Sequence, residues 1–471
     1  MQPTVYLSLV RPWPDLSFSP LPVSHATATF TMDYKQGAPR IQPRLIIHGG
    51  AGNISPVTIT PEKRVVFRAA LTEIVTRTSV LLDSKTSALE IATYAVSLLE
   101  DNPLFNSGYG AVFTRDGINE LEASVMVSRG RAKRGVGVMG LKRVRNPILL
   151  ARRMLEEGDY DLAPRSAATA GVNIDRGAQG HTQVHGATAE ALAASYGLPL
   201  VEPSYFFTQN RWDEHVRGLQ READHTMGTS KYSSASWSAD EYLPQGTVGA
   251  VALDADGVVC CATSTGGLTN KLTGRIGDTP VVGAGSWAEA WTEEGDPTSV
   301  LRQTQPLPNV RPAVELSRAL CSLLADCLPI PRAFSYAPIP AVTSTALSLT
   351  TTRSVAVSGT GNGDSFLRVG AAHAVAAMAQ YKPVSSAAAL SAVTGPGGIL
   401  QQSAEDRFGL TGEGEGGIIG IESVVVRDKE SGAVHEVRGT IIADCNCGGM
   451  FRGWIDDAGR VQVRIFRDDT E

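Results

Sequence analysis

The sequence predicts an α+β architecture in which sheets are sandwiched by helices. Strand-like and helix-like segments come in groups, in the order β, α, α, β, β, α, loop, β, β, α, β, α, β, β. A doubly wound parallel sheet would alternate the two more strictly. The 48 glycines also cluster in short apolar segments, which points to tight turns and close backbone approach rather than disorder. No period of solenoid or propeller type is present.

Residues 1–43 are rich in Pro, Ser and Thr and show no sustained period, so they read as a disordered or loosely attached extension, with Met32 a candidate start. Order begins at RLIIHGGAG, Arg44 to Gly52, a short apolar strand ending in a Gly turn. PEKRVVFRAALTEIVTRTSVLLD has helical spacing. A second helix follows with Thr86 or Ser87 as N-cap, and its pattern stops at Asn102-Pro103. Residues 110–140 alternate like strands, with a turn at Asp116-Gly117, and PILLARRMLEEGD is a short helix. From 202 to 246 the period is lost, and the Ser-, Gly- and charge-rich run reads as a flexible linker. Strands resume at Thr247. Residues 313–327 look helical, and 328–352 read as a Pro/Ser/Thr-rich insertion. RSVAVSGTGNGD is a strand with a Gly-rich turn, SFLRVGAAHAVAAMAQY one helix, and strand patterns close the chain at 416–428 and 438–457.

The bulk numbers set bounds. The chain has 471 residues, 42% hydrophobic and 19% charged, with a net charge of -6. That balance favours neither nucleic acid nor an anionic membrane surface as partner. No apolar run is long enough to span a bilayer, and the N-terminus lacks a clean signal-peptide core. Six cysteines occur (Cys260, Cys261, Cys321, Cys327, Cys445 and Cys447), and adjacent and alternate pairs such as Cys260/Cys261 and Cys445/Cys447 make poor disulfide frameworks. A reduced, cytoplasmic setting is the easier reading.

Several motifs carry candidate chemistry. HGGAG, from His48, lacks the spacing of a nucleotide loop and reads as a structural turn with a satisfied histidine. VSGTGNGD, Val357 to Asp364, is either a plain turn or a loop whose backbone N–H groups and Thr360 hydroxyl face a developing oxyanion. In TSTGGLTNKLTGRIGDTP, Arg275 and Asp278 are suited to clamp a zwitterion, Arg on a carboxylate and Asp on an ammonium; the plain alternative is a surface ion pair. Neither G-x-S-x-G nor H-E-x-x-H occurs. Gly246-Thr247 joins the polar run to a buried strand. A threonine hydroxyl needs a base beside it, and a threonine freed at its own N-terminus supplies one as its α-amine, with a pKa of about 7.7–8.0. By residue type alone, a strand that starts with Thr is the simpler account.

The combination GTVGAVALDADG…ATSTGGLTNKLTGRIGDTPVVGAGSWA, with IIHGGAG, LEDNPLFNSGYGAVFTRDG, SGTGNGD and GEGEGGIIGIE, strongly resembles the plant-type L-asparaginase/isoaspartyl aminopeptidase family of N-terminal-nucleophile hydrolases. The pieces recur in family order from about residue 44 to the C-terminus. The resemblance implies a four-layer αββα sandwich made as one precursor that cleaves itself between Gly246 and Thr247, giving an α chain (44–246) and a β chain (247–471). It implies Thr247 as nucleophile, Thr265 as its neighbour, Thr360 and Gly361 as oxyanion hole, Arg275 and Asp278 as substrate clamp, Gly363 lining the site, and Asn106 approaching the nucleophile. It also implies a sodium ion held by backbone carbonyls of Leu99, Glu100, Asn102, Phe105, Ser107 and Tyr109, no organic cofactor, and a homodimer of αβ units. The implied reaction is hydrolysis of L-asparagine or of β-aspartyl dipeptides. Two alternatives are a glycosylasparaginase-like or threonine-aspartase-like hydrolase of larger substrates, and a scaffold that never matures; the retained Asp278 favours a small α-amino substrate. The departures are Glu122, where the family usually has Asp, and apparent insertions at 175–186 and 328–352. On the linear order none of them touches the clamp.

Overall fold

The computed structural model describes residues 39–82, 85–163, 178–226, 246–295, 348–382, 384–410 and 412–467. The calls on 1–38, on 227–245 and on the helix at 313–327 lie outside them, as does the insertion up to residue 347. Cys321 and Cys327 fall there too.

Two sheets form, with helices against them. The strands of the larger are β1 (Arg44–Gly52), β2 (Leu121–Val127), β3 (Gly135–Leu141), β4 (Gln183–His185), β5 (Val248–Leu253), β6 (Val259–Thr265), β11 (Gly449–Ile455) and β12 (Val461–Phe466), in the order β12-β11-β1-β5-β6-β2-β3-β4. The smaller holds β7 (Ser286–Glu294), β8 (Leu349–Gly361), β9 (Gly416–Asp428) and β10 (Val434–Cys445), in the order β10-β9-β8-β7. Its strands pair antiparallel, and in the larger sheet only β3 with β4 is parallel.

Side-chain alternation along a strand sends neighbouring residues to opposite faces, and it separates three cores. Leu45, Ile47, Ala250 and Ala252 pack with α1 (Pro61–Ser79), α2 (Ala88–Glu100) and α3 (Pro147–Asp161) through Leu71, Ile91, Leu99 and Ile148. Their neighbours Ile46, Val251 and Leu253 share a second core with Ala356, Ile419 and Ile421 of the smaller sheet. Val355, Val357 and Ile418 face the third core, with α6 (Gly363–Val369), α7 (Ala371–Tyr381) and α8 (Ser386–Thr394) through Phe366, Val375 and Leu390. Both faces of the central strands are therefore buried, which is why they read as continuous apolar runs.

Local signals hold at several element ends. Ser87 caps α2 by accepting from Glu90 N, and the helix ends at Glu100 before Pro103. Gly117 sits at the expected turn with φ +71. Three expectations are corrected. The predicted single helix at 365–381 is two, because Gly370 at φ 58 ends α6 in a left-handed cap. Residues 349–352, placed in the insertion, begin β8, and 183–186 of the other apparent insertion form β4 and the first residue of α4 (Gly186–Ser195). Part of the predicted flexible linker is ordered: Gln209–Thr226 is a helix, α5. It packs through polar groups: Arg211 Nε donates to Gly110 O at 3.0 Å, buried Arg211 and Glu214 pair at 2.8 Å, and His215 meets Asn270 at 2.5 Å. Trp212 adds an aromatic contact, edge-on to Phe113 with ring centroids 5.2 Å apart, but a face made of Arg, Glu, His and one Trp does not read as an apolar stripe.

Candidate active site

Thr247 precedes β5, and the pairing Val248↔Ser264 brings it to the end of β6 where Thr265 lies. At the same end β1 crosses close by. Its register slips between His48 and Gly50, a bulge that turns the Gly50-Ala51 backbone toward the junction of the two sheets. A Cβ built on Gly246 would lie 2.1 Å from Gly50 Cα and 2.6 Å from Ala51 N, so only glycine allows this approach at the scissile bond.

His48 is wholly buried here. Its Nδ1 lies 2.9 Å from Thr247 O and its Nε2 lies 2.8 Å from Ser358 Oγ. A carbonyl can only accept, so Nδ1 carries the proton and Nε2 accepts from Ser358. Ser358 Oγ in turn accepts from Thr263, at 2.8 Å. Burial lowers the imidazole pKa to about 3, only partly opposed by the bond to Thr247, so the ring is neutral. This chain of neutral groups runs from β6 through β8 and β1 to the carbonyl of Thr247. The sequence reading of a satisfied histidine holds, but it gave no sign of the partner Ser358. The alternation of β8, which faces Ser358 and Thr360 the same way, was the available signal.

The other predicted residues have the following surroundings. Thr360 Oγ1 accepts from Ala51 N at 3.1 Å, which leaves its hydroxyl proton for another acceptor. Gly361 has φ +145, and a Cβ there would meet Glu415 O at 2.4 Å. Thr265 Oγ1 accepts from Gly267 N at 3.0 Å and reaches Asn106 O at 3.4 Å. Asn106 ties this loop down, donating to Gly267 O at 2.7 Å and accepting from Val112 N at 3.0 Å. Thr247 Oγ1 lies 3.4 Å from Thr279 Oγ1, a residue unmarked in the sequence reading. Thr279 adjoins Asp278, so the hydroxyl end and the charged end of the site meet there.

The charged end is compact. A Cβ on Gly363 would lie 2.4 Å from Asp278 Oδ1 and 3.1 Å from Arg275 Nη2, which places all three predicted residues around one small space. Asp278 Oδ2 and Arg275 Nη2 are buried and have no hydrogen-bond partner, although Asp364 Oδ2 lies 3.2 Å from that Nη2 as a charge partner. Burial, then the charge of Glu122, raises the Asp278 carboxyl to about 7, against the pull of Arg275. The plain reading of a surface ion pair between Arg275 and Asp278 does not hold, because Asp278 is only 5% exposed.

Glu122 does touch the clamp, contrary to the linear reading. Both its carboxylate oxygens accept from Gly277 N at 3.2 Å, and Gly277 stands between the two clamp residues. Glu122 also lies directly across from Thr265 in the β2–β6 pairing.

The loop predicted to hold a sodium ion follows α2. Gly108 and Gly110 press onto its carbonyls: a Cβ would lie 2.3 Å from Glu100 O at Gly108, and 2.6 Å from Phe105 O and 2.7 Å from Pro103 O at Gly110. The Glu100 side chain turns away, accepting from Ser264 at 2.7 Å and from Ile148 N at 3.0 Å, and burial raises it to about 8. Ser264 also meets Ser107 at 2.7 Å.

Comparison with known proteins agrees with this geometry. The profile of the asparaginase family matches residues 41–171 and 176–293. The chain belongs to the asparaginase family. It is 38% identical over 244 residues to the isoaspartyl peptidase of Escherichia coli (strain K12), covering 52% of this chain and 67% of that protein. A putative isoaspartyl peptidase/L-asparaginase of Dictyostelium discoideum is 30% identical over 424 residues, covering 86% of this chain and 94% of its own length. The plant-type L-asparaginase of Pyrococcus furiosus is 35% identical over 246 residues, covering 52% and 70%. Among the described residues of this family member no helix is long and apolar enough to cross a membrane.

Proposed function

We infer that the chain is a self-cleaving amidohydrolase that hydrolyses L-asparagine and β-aspartyl dipeptides through Thr247. The observation that carries it is the pair of unsatisfied, oppositely charged, buried groups, Arg275 Nη2 and Asp278 Oδ2, beside a buried threonine at a Gly-Thr junction. Arg275 has the exposed Asp364 as charge partner at 3.2 Å, and neither Arg275 Nη2 nor Asp278 Oδ2 has a hydrogen-bond partner, so both buried atoms are left unsatisfied at a cost. An α-carboxylate on Arg275 and an α-ammonium on Asp278 would relieve both.

In the continuous chain the nitrogen of Thr247 is an amide and no base. After cleavage from Gly246 it is an amine of pKa about 7.7–8.0, neutral enough near pH 8 to take the hydroxyl proton. Thr247 Oγ attacks the β-carbonyl, and the Thr360 hydroxyl and the Gly361 N–H receive the charge on oxygen. Ammonia or an amine leaves with the proton, and water hydrolyses the β-aspartyl ester. Thr265 and Asn106 hold the wall beside the nucleophile. In this reading the backbone carbonyls of Leu99, Glu100, Asn102, Phe105, Ser107 and Tyr109 would hold a sodium ion that braces this loop.

Three cores between and outside two sheets support a four-layer αββα sandwich. Free, buried Cys260, Cys261, Cys445 and Cys447 support a reducing, cytoplasmic setting. Pairing of two αβ units is proposed by analogy with the family.

Intact mass and N-terminal sequencing of the purified protein, beside Thr247→Ala, test the reading. Two chains, the smaller beginning Thr-Val-Gly-Ala only in the wild type, and release of aspartate from asparagine or β-aspartyl-leucine are the expected result. A single 49.8 kDa chain under all conditions would favour a scaffold instead.

A further inference from the structure

We propose that Glu122 is the positioning residue of the Arg275–Asp278 clamp: it sets the turn that separates the two side chains and supplies the negative charge that balances the pocket for a zwitterion. The proposal rests on the amidohydrolase reading above.

Three observations carry it. Glu122 is 2% exposed and receives Gly277 N on both oxygens at 3.2 Å, so the backbone midway between Arg275 and Asp278 is fixed from β2. A Cβ on Gly277 would lie 2.6 Å from Glu122 Oε1 and 2.7 Å from Arg275 Nη1, so the carboxylate and the guanidinium close on the same small volume. Glu122 also stands opposite Thr265, so one strand position serves both the nucleophile's neighbour and the clamp.

The charges around it are few. Burial raises the Glu122 carboxyl above its ordinary value; Lys271 and Arg275 from the loop after β6 oppose that, and Asp364 at the start of α6 adds to it. Asp278 faces Glu122 and Asp364 as like charges and Arg275 as the opposite one. Lys271 is anchored on Glu120 O at 2.8 Å. Glu120 adds a carboxylate beside Lys271, accepting from Gly274 N at 2.7 Å, so the cluster sets Lys271 and Arg275 among the carboxyls of Glu120, Glu122, Asp278 and Asp364. A ligand with one carboxylate and one ammonium enters without changing the net charge there, whereas a ligand with only a carboxylate would leave Asp278 facing Glu122 without its cation. Two roles of Glu122 are separable. Its reach sets geometry, and its charge sets how readily Asp278 ionises.

Two substitutions separate them in the mature two-chain enzyme. Glu122→Gln keeps the length and one acceptor for Gly277 N but removes the charge. Glu122→Asp keeps the charge and shortens the reach. The readouts are KM and kcat for L-asparagine and the inhibition constant of L-aspartate from pH 5 to 9. L-Aspartate binding needs the clamp but not the Thr247 base, so it isolates Asp278. For E122Q the acidic limb of L-aspartate binding moves down by about one pH unit, because a like charge has gone. For E122D that limb stays and KM rises about tenfold, with kcat within about threefold. A purely structural Glu122 would lower both activities without moving the limb. An unmoved limb in E122Q, or an unchanged KM in E122D, overturns the proposal. If E122Q fails to mature, the KM of E122D decides alone. A wild type that matures but neither hydrolyses asparagine nor binds L-aspartate sinks the amidohydrolase reading itself, whereas an active wild type with unaffected variants sinks only the role of Glu122.

Discussion

The two ends of the site are built from different materials. Around Thr247 every partner is neutral: His48, Ser358, Thr263, Thr279 and Thr360, mostly carried on strands. Around the clamp nearly every partner is charged: Glu122, Lys271, Arg275, Asp278 and Asp364, mostly carried on the loop after β6. Strands fix atoms tightly, which suits a hydroxyl that must meet a carbonyl at one angle. Charges act over a longer range and tolerate a loop. Neutral surroundings also avoid a buried charge that would compete for the nucleophile's proton.

This contrast can be broken from either side. The largest expected effect is at the charged end: Arg275→Ala leaves Asp278 buried without its cation and should cut kcat/KM for asparagine by about 10²–10³, mainly through KM. Steady-state kinetics over a wide substrate range would reveal it, and a loss confined to kcat would contradict the clamp. At the neutral end, Thr360→Ala removes one oxyanion donor. It should lower kcat by about 10² and leave KM within a few fold.

A smaller effect sharpens the comparison. Ser358→Ala strands His48 Nε2 in the core, and urea unfolding of the uncleaved Thr247→Ala background should show a loss of about 1–3 kcal/mol. An unchanged midpoint would mean that the relay contributes nothing to stability. The smallest effect is a slope. The Asp278 pKa is raised on folding, from 3.8 to about 7, so its contribution to stability is present below pH 4 and is lost as pH rises to 7. Replacing it by Asn removes that slope: D278N in the same background should match its parent at pH 4 and exceed it above pH 7, by on the order of 1 kcal/mol or more. His48 titrates in the opposite sense, its contribution being lost as pH falls from 6.5 toward 3, but it is common to both proteins and cancels. Equal unfolding curves at pH 8 would argue that Asp278 is not held against its charge.

The same contrast explains what could be read in advance. Arg275 and Asp278 stand out in a sequence because charge among glycines is unusual. Thr247 stood out only as part of a family pattern, since Thr is also an ordinary strand residue. Thr263 and Thr279 gave no signal and Ser358 only its place two residues before Thr360 on β8, because a buried hydroxyl is marked by what it faces across two sheets, and that pairing is not local. Glu122 was noticed as a departure but misplaced, because it lies more than 150 residues from Gly277 along the chain and meets it only through the β2–β6 pairing. Helix α5 was missed for the converse reason: its contacts are mostly hydrogen bonds and ion pairs, with Trp212 on Phe113, and leave no apolar period. The paired strands and the first two helices were legible because caps and apolar runs are local.

The close seat of Gly246 on Gly50 has a kinetic consequence. Gly246 itself packs on Gly50 and Ala51 next to Thr247, so after scission the new carboxylate end begins beside the nucleophile it has released. Turnover would then wait on the departure of that chain end as well as on scission. Freshly cleaved protein should therefore show a lag before turnover, one that shortens when the tail is trimmed by a protease and is indifferent to substrate concentration.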